Sequence, residues 1–225
     1  MDILVVDDGT PAKEKLAKFC EEKGIHFITK DKPKGLTHSW NLAYQFFVKE
    51  GYDGCILSND DVRFQKGFSR DLLKGVKKFD IVCPVSNKPA PASIWWKKQW
   101  LSRYCKISPT RKKANRESIQ HFLEKKFRKS PYEKAGEFNG FCFAFGKRIK
   151  RFRSSETCLF NKKTINLRNE VLLTKQIRKK GGEIVVCKTA YVYHYKGVTF
   201  RELGLKNKNQ LWLSSKNKKL LKNVP

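Results

Sequence analysis

Between Cys55 and Val62 a short apolar run, Cys55-Ile56-Leu57-Ser58, ends in Asn59-Asp60-Asp61. An amide followed by two adjacent carboxylates has no use inside a buried strand. The pattern therefore places the cluster at a strand's exposed C-terminal end, where open α/β sheets receive their ligands. Adjacent carboxylates repel one another, and a hard divalent cation bridging them to phosphate oxygens is a good reason to hold them together. A solvated turn is the alternative, because Asn-Asp is ordinary turn chemistry.

The elements that must position this cluster follow from periodicity. Asp2 to Val6 reads as a short strand running into the turn Asp7-Asp8-Gly9-Thr10-Pro11, and Lys13 to Lys23 carries helical spacing that stops at Gly24. Ile25 to Thr29 is a second strand. Gly35 precedes a helix whose stripe is Trp40, Ala43, Tyr44, Phe47 and Val48, closed by Gly51. After the acidic strand end, Lys66 to Lys78 is helical and Asp80 to Val85 is a strand. Residues 86 to 135 break the rhythm: Pro89, Pro91, Pro109 and Pro131 stand with Trp95, Trp96, Trp100 and Tyr104 among lysines, and Ser118 to Arg128 reads as a helix. Such an aromatic and basic insertion suits either stacking on a base or sugar ring or a satellite core. Phe138 to Phe145 resumes regular structure, followed by a helix from Arg168 to Lys179 and strands at Glu183 to Cys187 and Ala190 to Tyr195. The alternation of strands and helices predicts an α/β fold with a mostly parallel central sheet and helices on both faces.

Composition narrows the functional classes. With 225 residues, 40% of them hydrophobic, the chain can bury a substantial core. No apolar run approaches the roughly 18 residues that span a membrane, and Met-Asp-Ile-Leu lacks the order of a signal peptide, so a cytoplasmic location is expected. The seven cysteines form no CxxC pair and sit mostly in apolar surroundings, so neither disulfide nor zinc site is expected. The formal charge of +28, from 49 Lys and Arg against 21 Asp and Glu, attracts nucleic acid, anionic membranes, phosphorylated substrates or nucleoside diphosphates. Because lysine is spread along the whole chain, the charge alone does not choose among these. P-loop, GxGxxG, HExxH and serine-elbow patterns are absent from the sequence.

Five segments in order resemble the family 2 type of nucleotide-sugar glycosyltransferase with the GT-A fold. They are Val5-Val6-Asp7-Asp8-Gly9-Thr10, similar to the family's VDDGS turn; Gly35 with Asn41 and Ala43, similar to its G-x-x-x-x-x-N-x-A helix start; Ser58-Asn59-Asp60-Asp61, in the place of its DxD-type motif; Arg168-Asn169-Glu170, near the place of its ED pair; and His194-Tyr195-Lys196-Gly197, similar to its late histidine and glycine. The compact lysine-rich form is also similar to glycosyltransferase domains encoded by large DNA viruses of algae, which would place it in a host cytoplasm. Two departures stand out. Asn169-Glu170 replaces the ED pair, and the chain starts nearly at the strand that the family precedes with another strand and helix. Either a neighbouring subunit, as in a homodimer, or the C-terminal tail is expected to cover that edge, or part of the gene product is absent from this sequence.

The resemblance implies one domain with a nucleotide-binding half over residues 1 to 85, the insertion or lid over 86 to 135, an acceptor or catalytic half over 136 to 200 and a basic tail over 201 to 225. It implies inverting transfer from a nucleoside diphosphate sugar, UDP-linked, to a glycan or other hydroxyl acceptor. In that reading Asp61 ligates Mn²⁺ or Mg²⁺, Asp60 faces the sugar or a bound water, Asn59 is a neutral partner and His194 completes the shell. Glu170 is the base for the acceptor hydroxyl, with a helix-start carboxylate as its alternative role. Asp7 and Asp8 accept from the nucleoside, with Gly35 and Asn41 in the same half. Lys196, with Arg201 and Lys206, contacts the diphosphate. The rivals are a basic nucleic-acid-binding module and an inactive scaffold of the same fold. Asp60 and Asp61 speak against nucleic acid, because they repel phosphate unless a metal intervenes.

Overall fold

The computed structural model describes residues 1–87, 99–104, 116–165 and 168–195. These residues divide between two compact units, one made of residues 1–51 with 153–169 and the other of 52–152 with 170–195.

In the first unit, β1 (Leu4–Val6), α1 (Lys13–Glu22) and β2 (His26–Ile28) form a strand-helix-strand turn whose strands pair in parallel from Leu4 opposite His26 to Val6 opposite Ile28. The helix α2 (Leu36–Lys49) begins at Gly35, whose φ of 87° lies in the left-handed region that glycine enters without a Cβ penalty. It buries Trp40, Asn41, Tyr44 and Phe47. Trp40 packs on Phe160 with ring centroids 5.0 Å apart. Burying an aromatic side chain of that size contributes on the order of 2 kcal/mol or more.

The second unit is built on a six-stranded sheet. Its elements are β3 (Gly54–Ser58), β4 (Val62–Phe64), α3 (Phe68–Gly75), β5 (Ile81–Ser86), α4 (Arg116–Phe127), β6 (Tyr132–Ala135), β7 (Cys142–Gly146), α5 (Asn169–Lys179) and β8 (Ile184–His194). The strand order is β3-β7-β5-β8-β4, with β6 also on β8. The expected mostly parallel sheet is not what forms. The β3–β7, β5–β7, β4–β8 and β6–β8 pairs are all antiparallel, and only β5–β8 is parallel. The helical alternation does give β3 and β5 the same direction, but β7 runs between them in the opposite sense. Its run Cys142-Phe143-Ala144-Phe145-Gly146 is buried throughout, and a fully buried strand carries no periodic mark of its direction. The edges β4 and β6 are three and four residues long and half exposed, too short to register as strands in the sequence.

The packing is close. A Cβ on Gly75 would lie 2.8 Å from Tyr132 and 3.0 Å from Val82, so glycine lets α3 approach β5 and β6. Cys142 and Cys187 belong to the apolar cluster, where burial pushes their thiols to about 12 and about 11 and keeps them protonated. Within the irregular segment, Leu101, Tyr104, Ile119 and Leu123 are buried, whereas Trp95 and Trp96 lie outside the described residues.

The two strands expected at the end of the chain are one strand with a break in register. Pro84 of β5 pairs with Cys187 and the next residue, Val85, pairs with Tyr191, leaving Lys188, Thr189 and Ala190 without β5 partners. The same break exchanges neighbours: residues 184 to 187 pair with β6, and residues 192 to 194 pair with β4. Two side chains, the buried Gln120 and the partly buried Asp71, hold the bulge. Gln120 of α4 donates to the Thr189 carbonyl at 2.6 Å and accepts from the Tyr191 amide at 2.8 Å, and Asp71 of α3 accepts from the Thr189 hydroxyl at 2.7 Å.

Candidate functional site

The β4–β8 pairing places Val62 opposite His194, with the Tyr195 amide donating to the Asp61 carbonyl at 2.9 Å. This register brings the Asp61 carboxylate to the histidine ring: Asp61 Oδ1 and His194 Nε2 are 3.1 Å apart, both side chains nearly covered. Phe141 ties the arrangement together. Its ring stacks on His194 with centroids 4.8 Å apart at 14°, and its carbonyl accepts from the Asn59 amide at 2.8 Å and from the Ser58 hydroxyl at 3.3 Å. Asp60, next in the chain, is exposed.

Two polar side-chain atoms in this cluster are unspent. Asn59 Oδ1 and His194 Nδ1 are shielded from solvent and have no hydrogen-bond partner among the described residues. Leaving a buried polar atom unsatisfied costs about 1–3 kcal/mol. An acceptor oxygen shielded from solvent is a group that a bound cation could relieve. The donor set of carboxylate oxygen, amide oxygen and imidazole nitrogen suits Mn²⁺ or Mg²⁺, the nitrogen favouring Mn²⁺. Cis ligands of an octahedral ion at such bond lengths lie about 3 Å apart, the separation of Asp61 Oδ1 and His194 Nε2. Among the described residues no group of three or more His, Cys, Asp or Glu side chains forms a metal cage. Asp61 and His194 are the residues that could hold such an ion.

In the first unit the acidic pair is differently employed. Asp7 is buried and turns its carboxylate back on its own turn, accepting from the amides of Gly9 at 3.1 Å and Thr10 at 3.0 Å and from the Thr29 hydroxyl at 2.8 Å. Asp8 accepts from the amides of Lys34 at 2.8 Å and Gly35 at 2.9 Å and pairs with Lys30. Burial pushes the Asp8 carboxyl up, but the Lys30 ammonium and the Lys34 and Gly35 amides outweigh it, so it sits below the usual aspartate value. Lys30 is itself buried, with Nζ 2.6 Å from the Ser39 hydroxyl. Asn41 uses both ends of its amide on the Phe160 backbone, donating to the carbonyl at 3.0 Å and accepting from the N–H at 2.9 Å.

Glu170 stands half-buried in the first turn of α5, where unpaired N–H groups favour a carboxylate. Its neighbour Asn169 is buried and accepts from the Thr37 hydroxyl at 2.8 Å. Lys196, Arg201 and Lys206 lie outside the described residues. Lys30, Asn87, Gln120 and Phe141 escaped the sequence reading. A buried lysine after a strand was the only one with a visible signal, and among 49 basic residues that signal is lost.

No protein-family profile matches the chain, and no curated protein matches it by sequence. Solved structures do resemble it in fold. A crystal structure of GalNAc-T7 with UDP, GalNAc and Mn²⁺ matches with a TM-score of 0.59 at 14% identity, over 86% of this chain and 37% of that one. A crystal structure of A197 from STIV matches with a TM-score of 0.49 at 12% identity, over 87% and 86% of the two chains, and at that score carries no weight here. The chain thus spans little more than a third of the length of GalNAc-T7 in that structure. At 14% identity the likeness to GalNAc-T7 is one of fold. Among the described residues no helix is long and apolar enough to cross a membrane.

Proposed function

We propose that this chain transfers a sugar from a nucleoside diphosphate sugar, UDP-linked, to a hydroxyl acceptor such as a glycan, with Asp61 and His194 as the ligands of Mn²⁺ or Mg²⁺. The observation that carries the reading is the 3.1 Å approach of Asp61 Oδ1 to His194 Nε2, with the oxygen of Asn59, two residues before Asp61, unspent. The fold likeness to GalNAc-T7 supports the reaction class. A bound cation would compensate the charge on the departing diphosphate.

The chain's own residues supply the rest. Asp61 and His194 fix the cation position because β4 and β8 hold their backbones in register. Asp60, exposed beside them, orients the sugar or a water. Glu170 takes the proton from the acceptor hydroxyl, giving inversion, and the turn held by Asp7 and Asp8 with Gly35 serves the nucleoside. A nucleic-acid-binding module is the rival, favoured by the charge of +28.

Calorimetric titration of UDP and of a short DNA duplex, each with and without Mn²⁺, separates the two. UDP is expected to bind in a Mn²⁺-dependent way that Asp61→Ala abolishes. Unchanged metal-dependent affinity in that variant, or tight duplex binding indifferent to Mn²⁺, overturns the reading. With an acceptor identified, Glu170→Gln is expected to keep nucleotide-sugar binding and lose roughly 10²-fold or more in transfer.

A further inference from the structure

We infer that Asn87 is the positioning residue for His194, an amide clamp that sets the last residue of β8 for cation binding; this rests on the metal reading above. β5 ends at Ser86, paired with Val192, and His194 is two residues beyond that pair. On the β4 side the bond is made by the Tyr195 amide to the Asp61 carbonyl, so the N–H and C=O of His194 turn the other way. Asn87 meets both. Its Oδ1 accepts from the His194 N–H at 2.7 Å, and its Nδ2 donates to the His194 C=O at 3.0 Å.

A side-chain amide has the donor and acceptor of a peptide group, so one residue does here what another strand would do. The Ser86 hydroxyl, 3.2 Å from Asn87 Oδ1 and 2.7 Å from the Asn87 carbonyl, restrains the clamp from behind. With Phe141 fixing the ring plane and Asn87 fixing the backbone, His194 has little freedom left. A strand end held on one edge only would fray, and Nε2 would lose its separation from Asp61. Outer-shell partners that orient metal ligands commonly govern affinity in this way.

The test compares wild type, Asn87→Ala and a control, Ile177→Val, a trimmed methyl in the buried face of α5. Mn²⁺ binding in the presence of UDP is measured by calorimetry, His194 amide exchange by NMR, and the unfolding midpoint by thermal denaturation. In Asn87→Ala, Mn²⁺ should bind roughly 10- to 100-fold more weakly and the His194 amide should exchange roughly tenfold faster. Ile177→Val should lower the midpoint comparably while binding Mn²⁺ as wild type does. Wild-type affinity in Asn87→Ala, or equal loss in Ile177→Val, overturns the clamp alone. A wild-type protein that binds no Mn²⁺ overturns the metal reading and the clamp with it. Should Asn87→Ala fail to fold, Asn87→Ser keeps a small polar side chain too short to meet both the N–H and the C=O of His194, and it should bind Mn²⁺ more weakly than wild type; wild-type affinity there overturns the clamp as well.

Discussion

Two acidic pairs follow two short strands, Asp7-Asp8 after β1 and Asp60-Asp61 after β3, and their surroundings are opposite. Donors surround the first pair: the amides of Gly9, Thr10, Lys34 and Gly35, the Thr29 hydroxyl and the Lys30 ammonium. The second pair has other company. Asp61 Oδ1 lies against an imidazole nitrogen, and the Asn59 oxygen two residues earlier is unspent. A carboxylate ringed by N–H groups organises the chain around itself, whereas one set against an imidazole joins two strand ends side chain to side chain. The same two letters in sequence therefore take two different sets of partners, decided by the groups that the fold brings near.

The largest expected effect lies in the first pair. Asp7→Ala strips the acceptor from two turn amides and the Thr29 hydroxyl and should cost about 3 kcal/mol in urea denaturation. A loss below about 1 kcal/mol would break the contrast. Next, Asp61→Ala should cost about 1 kcal/mol by the same measurement, the worth of its contact with the His194 ring. Equal losses at Asp7 and Asp61 would erase the distinction.

Acid titration sharpens it further. The carboxyl of Asp8 is held below the usual aspartate value, so its contribution to stability is full above about 3.9 and is lost as pH falls through the depressed folded value. Asp8→Asn should flatten unfolding midpoints in that acid window. The smallest effect belongs to His38. Burial first, and then the Lys30 and Lys34 charges, hold its ring below the usual histidine value. Its contribution is complete above about 6.5 and declines as pH falls through the folded value, so His38→Gln should remove a shallow slope just below that point.

Local structure was the most legible part of the sequence. The stripe Trp40, Tyr44 and Phe47, the glycine before α2 and the apolar runs of β3 and β5 name their elements directly, because periodicity and punctuation are local properties. Strand direction was not legible. β7 is uniformly apolar, and its insertion against β3 and β5 is decided by partners far away in the chain. Asp61 and His194 could be named through a resemblance, but their contact depends on the pairing of Val62 with His194, which no short window contains. The internal employment of Asp7, Asp8 and Asn41 was equally hidden. Their residue types suit a ligand as well as they suit a turn or a backbone clamp, and only Gly9, Thr29, Lys30 and Phe160 brought alongside decide between the two.

The bulge at Lys188, Thr189 and Ala190 bears on how such a chain can change over generations. The strand is pinned separately on either side of it, residues 184 to 187 by β6 and 192 to 194 by β4. A codon gained between Cys187 and Tyr191 lengthens a stretch without β5 partners and keeps His194 opposite Val62, whereas one gained between Tyr191 and His194 moves that pairing by one residue and turns the histidine to the other face.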